Sequence, residues 1–233
     1  MHHEPRTFDE IVHSTPTCRF YRSDPVADDQ LVRILDAARF APQGGNRQPV
    51  HFVVVAERAT KETLRDWYLE PWRTYMANVE SGAQTVGGEK ARQSVLDADH
   101  MARHLADAPI LIVVCADLAA LHATDTNLDR LSIVGGASVY PAVQNLLLAA
   151  RAEGLGAALT TLLAAYEPQI KALLGIPDGI AVAAVVVLGH PERPLPTKLS
   201  RRPLTETAFG ERWGRPLDAL THGNADQNQA SES

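Results

Sequence analysis

The sequence predicts an α+β fold built as one domain. A stretch of helical period carries Leu31, Ile34, Leu35, Ala38 and Ala41 on one face, and it alternates with short β-branched or apolar runs at 50–56, 110–115 and 180–188. No internal repeat or convincing linker interrupts the 233 residues, of which 45% are hydrophobic, so one sizeable core is available. The domain is expected over residues 1–220, with the polar stretch 221–233 as a disordered tail.

Taken in order, Asp28 can cap the first long helix and Pro42 would end it. Residues 50–56 read as a strand, and Thr60 begins a helix carrying Leu64, Trp67 and Tyr68. The small, polar stretch 81–88 reads as a loop, and 89–107 as helix stopped by Pro109. Residues 110–115 are wholly apolar, the pattern of a strand buried on both faces. A polar loop over 117–129 leads to the longest helical pattern, 131–153, nearly apolar all round. Gly154-Leu155-Gly156 would stop it, because glycine tolerates left-handed geometry. A further strand is expected at 157–163, a short helix at 168–174 closed by Gly175, and a buried strand at 180–188. The segment 191–216 changes character: it holds five prolines with Arg193, Lys198, Arg201, Arg202, Arg212 and Arg215, and reads as an extended basic arm.

Net charge of -6 and a pI near 5.8 disfavour nucleic acid as a partner. Cys18 and Cys115 are too few for a disulfide framework or a zinc site. The N-terminal residues have no apolar signal core, and the longest apolar runs, 110–116 and 180–189, are too short to span a membrane. A cytoplasmic protein with no membrane partner is the expectation.

The segment Ala41-Pro42-Gln43-Gly44-Gly45-Asn46-Arg47-Gln48-Pro49 is over-equipped for a plain helix-to-strand connection. Its glycines let backbone approach a ligand, its prolines fix φ, and its amides present donors and acceptors together. That mixture suits a planar, heteroatom-edged ligand, although Pro/Gly/Asn clusters also punctuate ordinary loops. Other sites are missing from the sequence: no P-loop, no G-x-G-x-x-G after a strand, no G-x-S-x-G elbow. His100 and His104 lie one turn apart beside Asp97 and Asp99, but without a third independent ligand they read as a solvated helix face. Thr15-Pro16-Thr17-Cys18-Arg19-Phe20 and the basic arm around Lys198, Arg201 and Arg202 could together suit a phosphate monoester. Surface ion pairs explain the same arginines equally well.

Residues 18–26, Cys-Arg-Phe-Tyr-Arg-Ser-Asp-Pro-Val, followed by 38–49, Ala-Arg-Phe-Ala-Pro-Gln-Gly-Gly-Asn-Arg-Gln-Pro, resemble the start of the FMN-dependent nitroreductase family. Later segments keep the family's order: 135–145, Gly154-Leu155-Gly156 with Thr160-Thr161, 174–178, 187–191 and 201–204. The resemblance spans about 14–216 and implies a mixed central sheet flanked by helices, in an intertwined homodimer with two interfacial FMN sites. It also implies that Thr17 and Arg19, with Arg201 or Arg202, hold the FMN phosphate. Pro42, Gln43, Gly44 and Asn46 would line the flavin of the other subunit. Ser138 would contact the flavin, and Thr160, Thr161 and Leu162 would lie along the ring edge. One departure stands out: Thr15 and Pro16 occupy positions where the family has basic residues. Cys18 replaces a small or apolar residue and reads as packing, not as a redox thiol.

The implied chemistry is hydride transfer from NADPH or NADH through flavin N5 to a nitroaromatic or quinone-like acceptor, in ping-pong fashion and without a catalytic side chain. The alternatives are a same-fold flavoenzyme for dehalogenation, azole oxidation or flavin breakdown, and a non-enzymatic flavin-binding protein. A structural domain without cofactor is the remaining class. In the resembling family the region 66–106 can cover the active-site mouth. There Trp72 and Tyr75 are candidate substrate contacts, whereas Trp67 and Met76 read as packing.

Overall fold

The computed structural model describes residues 6–85 and 87–217. Four strands, β1 (Val50–Val55), β2 (Ile110–Asp117), β3 (Gly156–Thr160) and β4 (Ile180–Gly189), form one sheet in the order β1-β2-β4-β3. All three pairings are antiparallel. The α+β class is the expected one, but these four strands do not form a mixed sheet. Between β1 and β2 the chain makes an excursion through two helices, α3 (Arg58–Glu80) and α4 (Glu89–Arg103), which returns it against its starting direction. A parallel neighbour would have to come from outside these four strands.

The sheet is nonetheless covered on both faces, which is why β2 and β4 are almost unbroken runs of apolar residues. Leu111, Val113 and Cys115 of β2 face one core, with Leu64 and Tyr68 of α3, Met101 of α4 and Ile170 of α6 (Glu167–Leu174). Ile110, Ile112 and Val114 face the other, with Ile34 and Ala38 of α2 (Asp28–Arg39) and Val143, Leu146 and Ala150 of α5 (Tyr140–Ala152). Each fully buried Leu, Ile or Val contributes about 1.5–3 kcal/mol of hydrophobic stabilisation. The register slips between Val114 and Cys115, leaving Ala183 as an extra residue in β4. Its carbonyl accepts the Tyr140 hydroxyl at 3.3 Å.

Several boundaries depart from expectation for local reasons. A short helix α1 (Phe8–Ser14) precedes the others, opened by a capping box between Thr7 and Glu10. Ala27, not Asp28, is the N-cap of α2; Asp28 and Asp29 sit in the first turn, where negative charge favours the helix dipole. That helix ends at Arg39, before Pro42 is reached. The longest helix is α3, which starts two residues before Thr60 and runs for 23 residues through Pro71. Helix α4 stops at Arg103, and Leu105–Asp107 form a separate 3-10 turn. Buried Lys61 holds that junction, donating from Nζ to the carbonyls of Ala108 at 2.6 Å and Pro109 at 3.1 Å.

The helix expected over 131–153 shrinks to α5. The carboxylate of Asp125 captures the Ser132 hydroxyl and the Ile133 N–H, holding the chain ahead of α5 in turns. Gly154, at φ 78°, ends α5 as anticipated. Strand β3 begins at Gly156 and stops at Thr160, and Leu162–Tyr166 form a 3-10 turn instead of extending it.

The chain divides after Thr197 into two compact units. In the second, Leu204–Glu206 form a 3-10 turn, Phe209 bridges to Pro216, and the Phe209 and Trp213 rings lie 5.0 Å apart. Lys198, Arg201, Arg202, Arg212 and Arg215 are all exposed. The tail expected at 221–233 lies outside the described residues. Among the described residues, no helix is long and apolar enough to cross a membrane.

Candidate functional site

The loop between α2 and β1 is built under constraint. Gln43 is extended and leads into a 3-10 turn, Gly44–Asn46, in which Gly45 has φ 62° and Asn46 φ 51°. Gln48 follows at φ 50°, directly before Pro49. A left-handed non-glycine residue costs on the order of 1 kcal/mol or more, so the surrounding structure must hold this shape. Two bonds do so. The Gly44 N–H donates to Ser138 Oγ at 3.1 Å, and the Pro49 carbonyl accepts the Asp117 N–H at 2.8 Å.

Ser138 lies just ahead of α5, and the stretch leading to it is held by the Asp125 knot. Asp125 is only 5% exposed. Its Oδ2 accepts from Arg130 at 2.7 Å and from the Ile133 N–H at 3.0 Å, while Oδ1 accepts from Ser132 at 2.7 Å. The Ser132 hydroxyl first, then the Ile133 N–H, hold its carboxyl down at about 2. No sequence pattern pointed to Asp125, because its partners are a hydroxyl, an arginine and a backbone amide that only the folded loop collects.

Gln43 Oε1 is buried and has no hydrogen-bond partner among the described residues. Such an acceptor costs about 1–3 kcal/mol unless a ligand or neighbour supplies a donor. Gln43 and Gln48 line a concavity of about 590 Å³ with Val32, Leu35, Val50 and Phe52. Pro42 and Asn46 are exposed beside it.

The segment around Thr17 is clamped to β3 at the opposite edge of the sheet. The Cys18 N–H donates to the Ala157 carbonyl at 2.9 Å, and the Cys18 side chain packs so tightly on Gly156 that a Cβ there would lie 2.5 Å from Sγ. Cys18 is thus a packing residue, and burial pushes its thiol up. Thr15 Oγ1 donates to the Ile11 carbonyl at 2.7 Å and so closes α1. Thr17 is exposed, and Arg19 is half-buried with Nη1 donating to Ser94 Oγ at 3.1 Å. Thr17 and Arg19 line a small concavity of about 120 Å³ with Asp97 and Arg193. Arg193 was visible in the sequence only as one cation among several in the basic arm.

Beyond β3, Thr160 Oγ1 donates to the buried Tyr68 hydroxyl at 3.5 Å and accepts the Leu162 N–H at 3.4 Å, while Thr161 is exposed. Burial pushes the Tyr68 phenol up. The structure therefore brings Gly44 to Ser138, and Thr17 to Arg19, as two separate groups. Arg201 and Arg202 belong to the unit that begins at Lys198, where Arg201 Nη1 donates to the Ser200 carbonyl at 2.8 Å.

Trp72 stitches α3 to α4: its indole N–H donates to Asp99 Oδ1 at 2.9 Å, and its ring lies 5.0 Å from Tyr75 and 6.2 Å from Tyr68. Trp67 stacks on Tyr166 and packs on the core. Met76 lines a groove of about 510 Å³ between α3 and α4 with Val79, Val95 and Leu96. His100 and His104 do not form a merely solvated face. Their rings stack at 4.4 Å, His100 also stacks on Phe20, and burial pushes the His100 imidazole down. Among the described residues, no group of three or more His, Cys, Asp or Glu could hold a metal ion.

A model of the Nitroreductase family matches residues 13–190. An NADH dehydrogenase/NAD(P)H nitroreductase of Archaeoglobus fulgidus is 31% identical over 189 residues, covering 78% of this chain and 84% of the relative. A 5,6-dimethylbenzimidazole synthase of Rhodospirillum rubrum is 29% identical, over 76% of this chain and 80% of its own length. The crystal structure of a BluB-like flavoprotein from Clostridium difficile superposes with a TM-score of 0.66 at 23% identity, covering 89% of this chain and all of the other. With 178 consecutive positions matched by the family model (13 through 190), and with the fold shared, the chain belongs to the nitroreductase family of oxidoreductases.

Proposed function

We propose that this chain is an FMN-dependent oxidoreductase that uses NADPH or NADH to reduce nitroaromatic or quinone-like acceptors, working as a homodimer with shared sites. The observation that carries the reading is Gln43 Oε1, a buried acceptor without a partner among the described residues, on a loop held in left-handed geometry. A flavin edge offers the N–H donor this atom requires, and the adjacent Gly44 and Gly45 let the ring approach backbone closely. At the other end, Thr17 and Arg19 offer the donor set that a phosphate monoester takes. FMN, when bound, supplies two-electron transfer from the nicotinamide to the acceptor.

The chain's own residues bind and orient. Ser138 fixes Gly44, and the Asp125 knot fixes the stretch ahead of Ser138. Thr160 ends β3 and the backbone of Thr161 and Leu162 follows it, where they would border the ring. Gln43 lines a different concavity from Thr17 and Arg19, which supports sites completed by a second copy. Val32 and Phe40, 64% and 69% exposed on and just beyond α2, supply apolar surface for that contact. Because the acceptor is small and the chain acidic, no nucleic-acid or membrane partner is invoked, and a cytoplasmic setting fits.

The test is steady turnover of a nitroaromatic with NADPH or NADH, with FMN recovered chemically unchanged afterwards. Sustained turnover supports the reading. Consumption of the flavin itself, or turnover only of a halogenated substrate, would instead assign one of the other same-fold reactions.

A further inference from the structure

We propose that Arg193 is a phosphate ligand that stands in for the basic residues absent at Thr15 and Pro16, gripping the phosphate of FMN together with Thr17 and Arg19. The assignment rests on the flavin reading above.

Its basis is the concavity of about 120 Å³ that Thr17, Arg19 and Arg193 line together. The Arg193 guanidinium carbon lies 3.5 Å from the centroid of the Phe20 ring, and Phe20 stacks in turn on His100 at 4.4 Å. Stacking on an aromatic face fixes the guanidinium plane and leaves its edge N–H donors available to an anion. Arg19 is held by a neutral oxygen, Ser94 Oγ, so its charge is not neutralised by that bond. Among the described residues neither arginine forms a salt bridge, whereas Arg22, Arg33, Arg39, Arg58 and Arg103 each hold a carboxylate. Two guanidiniums and an exposed threonine hydroxyl around one small hollow match the charge and acceptor oxygens of a phosphate monoester.

Thr15 cannot help, because its hydroxyl closes α1, and Pro16 has neither side-chain donor nor backbone N–H. Arg193 reaches the same hollow from the segment after β4. One group opposes the anion. Asp97 lines the hollow too, with Oδ1 accepting from Gln93 Nε2 at 2.8 Å. Its negative charge weakens the site, so removing that charge should tighten binding.

The experiment is a fluorescence titration of flavin-stripped protein with FMN and, separately, with riboflavin, which lacks the phosphate. Arg193→Ala is expected to weaken FMN by about ten- to hundredfold, the effect of one charge-assisted contact. Riboflavin affinity should stay within about twofold, since it makes no such contact. Arg193→Lys should recover part of the FMN loss, and Asp97→Asn should tighten FMN by about two- to fivefold. Unchanged FMN affinity in Arg193→Ala, or equal losses for both flavins, would overturn the assignment. So would a raised KM for NADPH but not NADH with FMN binding intact, which would place Arg193 on the dinucleotide's extra phosphate. Wild-type protein that binds neither flavin would overturn the flavin reading itself, and this assignment with it.

Discussion

Gly156→Ala should destabilise the protein and weaken its grip on flavin phosphate through a single contact. A Cβ at position 156 would lie 2.5 Å from Cys18 Sγ and 2.7 Å from Cys18 Cβ, distances real side chains do not tolerate. Cys18 cannot simply rotate away, because its N–H is tied to Ala157 and its side chain is buried. Overpacking of this kind costs about 1–3 kcal/mol. For a chain of this size that is roughly 2–12 °C in melting temperature. The displacement is passed to Thr17 and Arg19, one residue to either side, so FMN affinity should fall more than riboflavin affinity. The assay is a double-mutant cycle followed by thermal melts and flavin titration. Cys18→Ala removes the nearer atom but leaves Cβ, so it should recover part of the loss; Cys18→Gly removes both and should recover more of the steric term. Unchanged stability in Gly156→Ala, or full additivity with the Cys18 changes, would refute this packing as the cause.

Ser138→Ala removes the side-chain bond on the Gly44 N–H and should cost about 0.5–1.5 kcal/mol, read as a roughly two- to tenfold loss of FMN affinity by titration. Trp72→Phe keeps the ring stack but loses the bond to Asp99, so urea melts should show a loss of about 1–2 kcal/mol, with FMN affinity little changed. Asp125 is held at about 2 in the fold against an ordinary 3.8, so the folded state binds fewer protons than the unfolded state between those values. Wild-type stability should therefore fall as pH drops from about 4 to 2, and Asp125→Asn should show a flatter slope over that window in acid melts.

Strand positions were legible because both faces of the sheet are covered, which leaves β2 and β4 as short apolar runs rich in Val and Ile, too short for a buried helix. The helix boundary at 131–139 was not, since Leu131 and Ile133 look like helix-core residues until the Asp125 carboxylate claims the chain around them. Helix α1 carried a readable Thr7-x-x-Glu10 signal in a stretch too short for apolar periodicity to register. The same division holds at the site. The loop chemistry of Gln43, Gly44 and Asn46 could be read locally, and the resemblance supplied Ser138 as a flavin-contacting candidate. What composition could not supply was distance: Ser138 against Gly44 across 94 residues, Trp72 against Asp99, or Arg193 over Phe20. Those pairings exist only once the sheet brings remote segments to its edges.

The most direct test of a flavin-dependent oxidoreductase is the visible absorption spectrum of the purified protein under anaerobic conditions. A yellow protein that NADPH or NADH bleaches, and that regains its colour on addition of a nitroaromatic, is the predicted result. A colourless protein that takes up no added FMN, or a yellow one that neither nicotinamide bleaches, would contradict it.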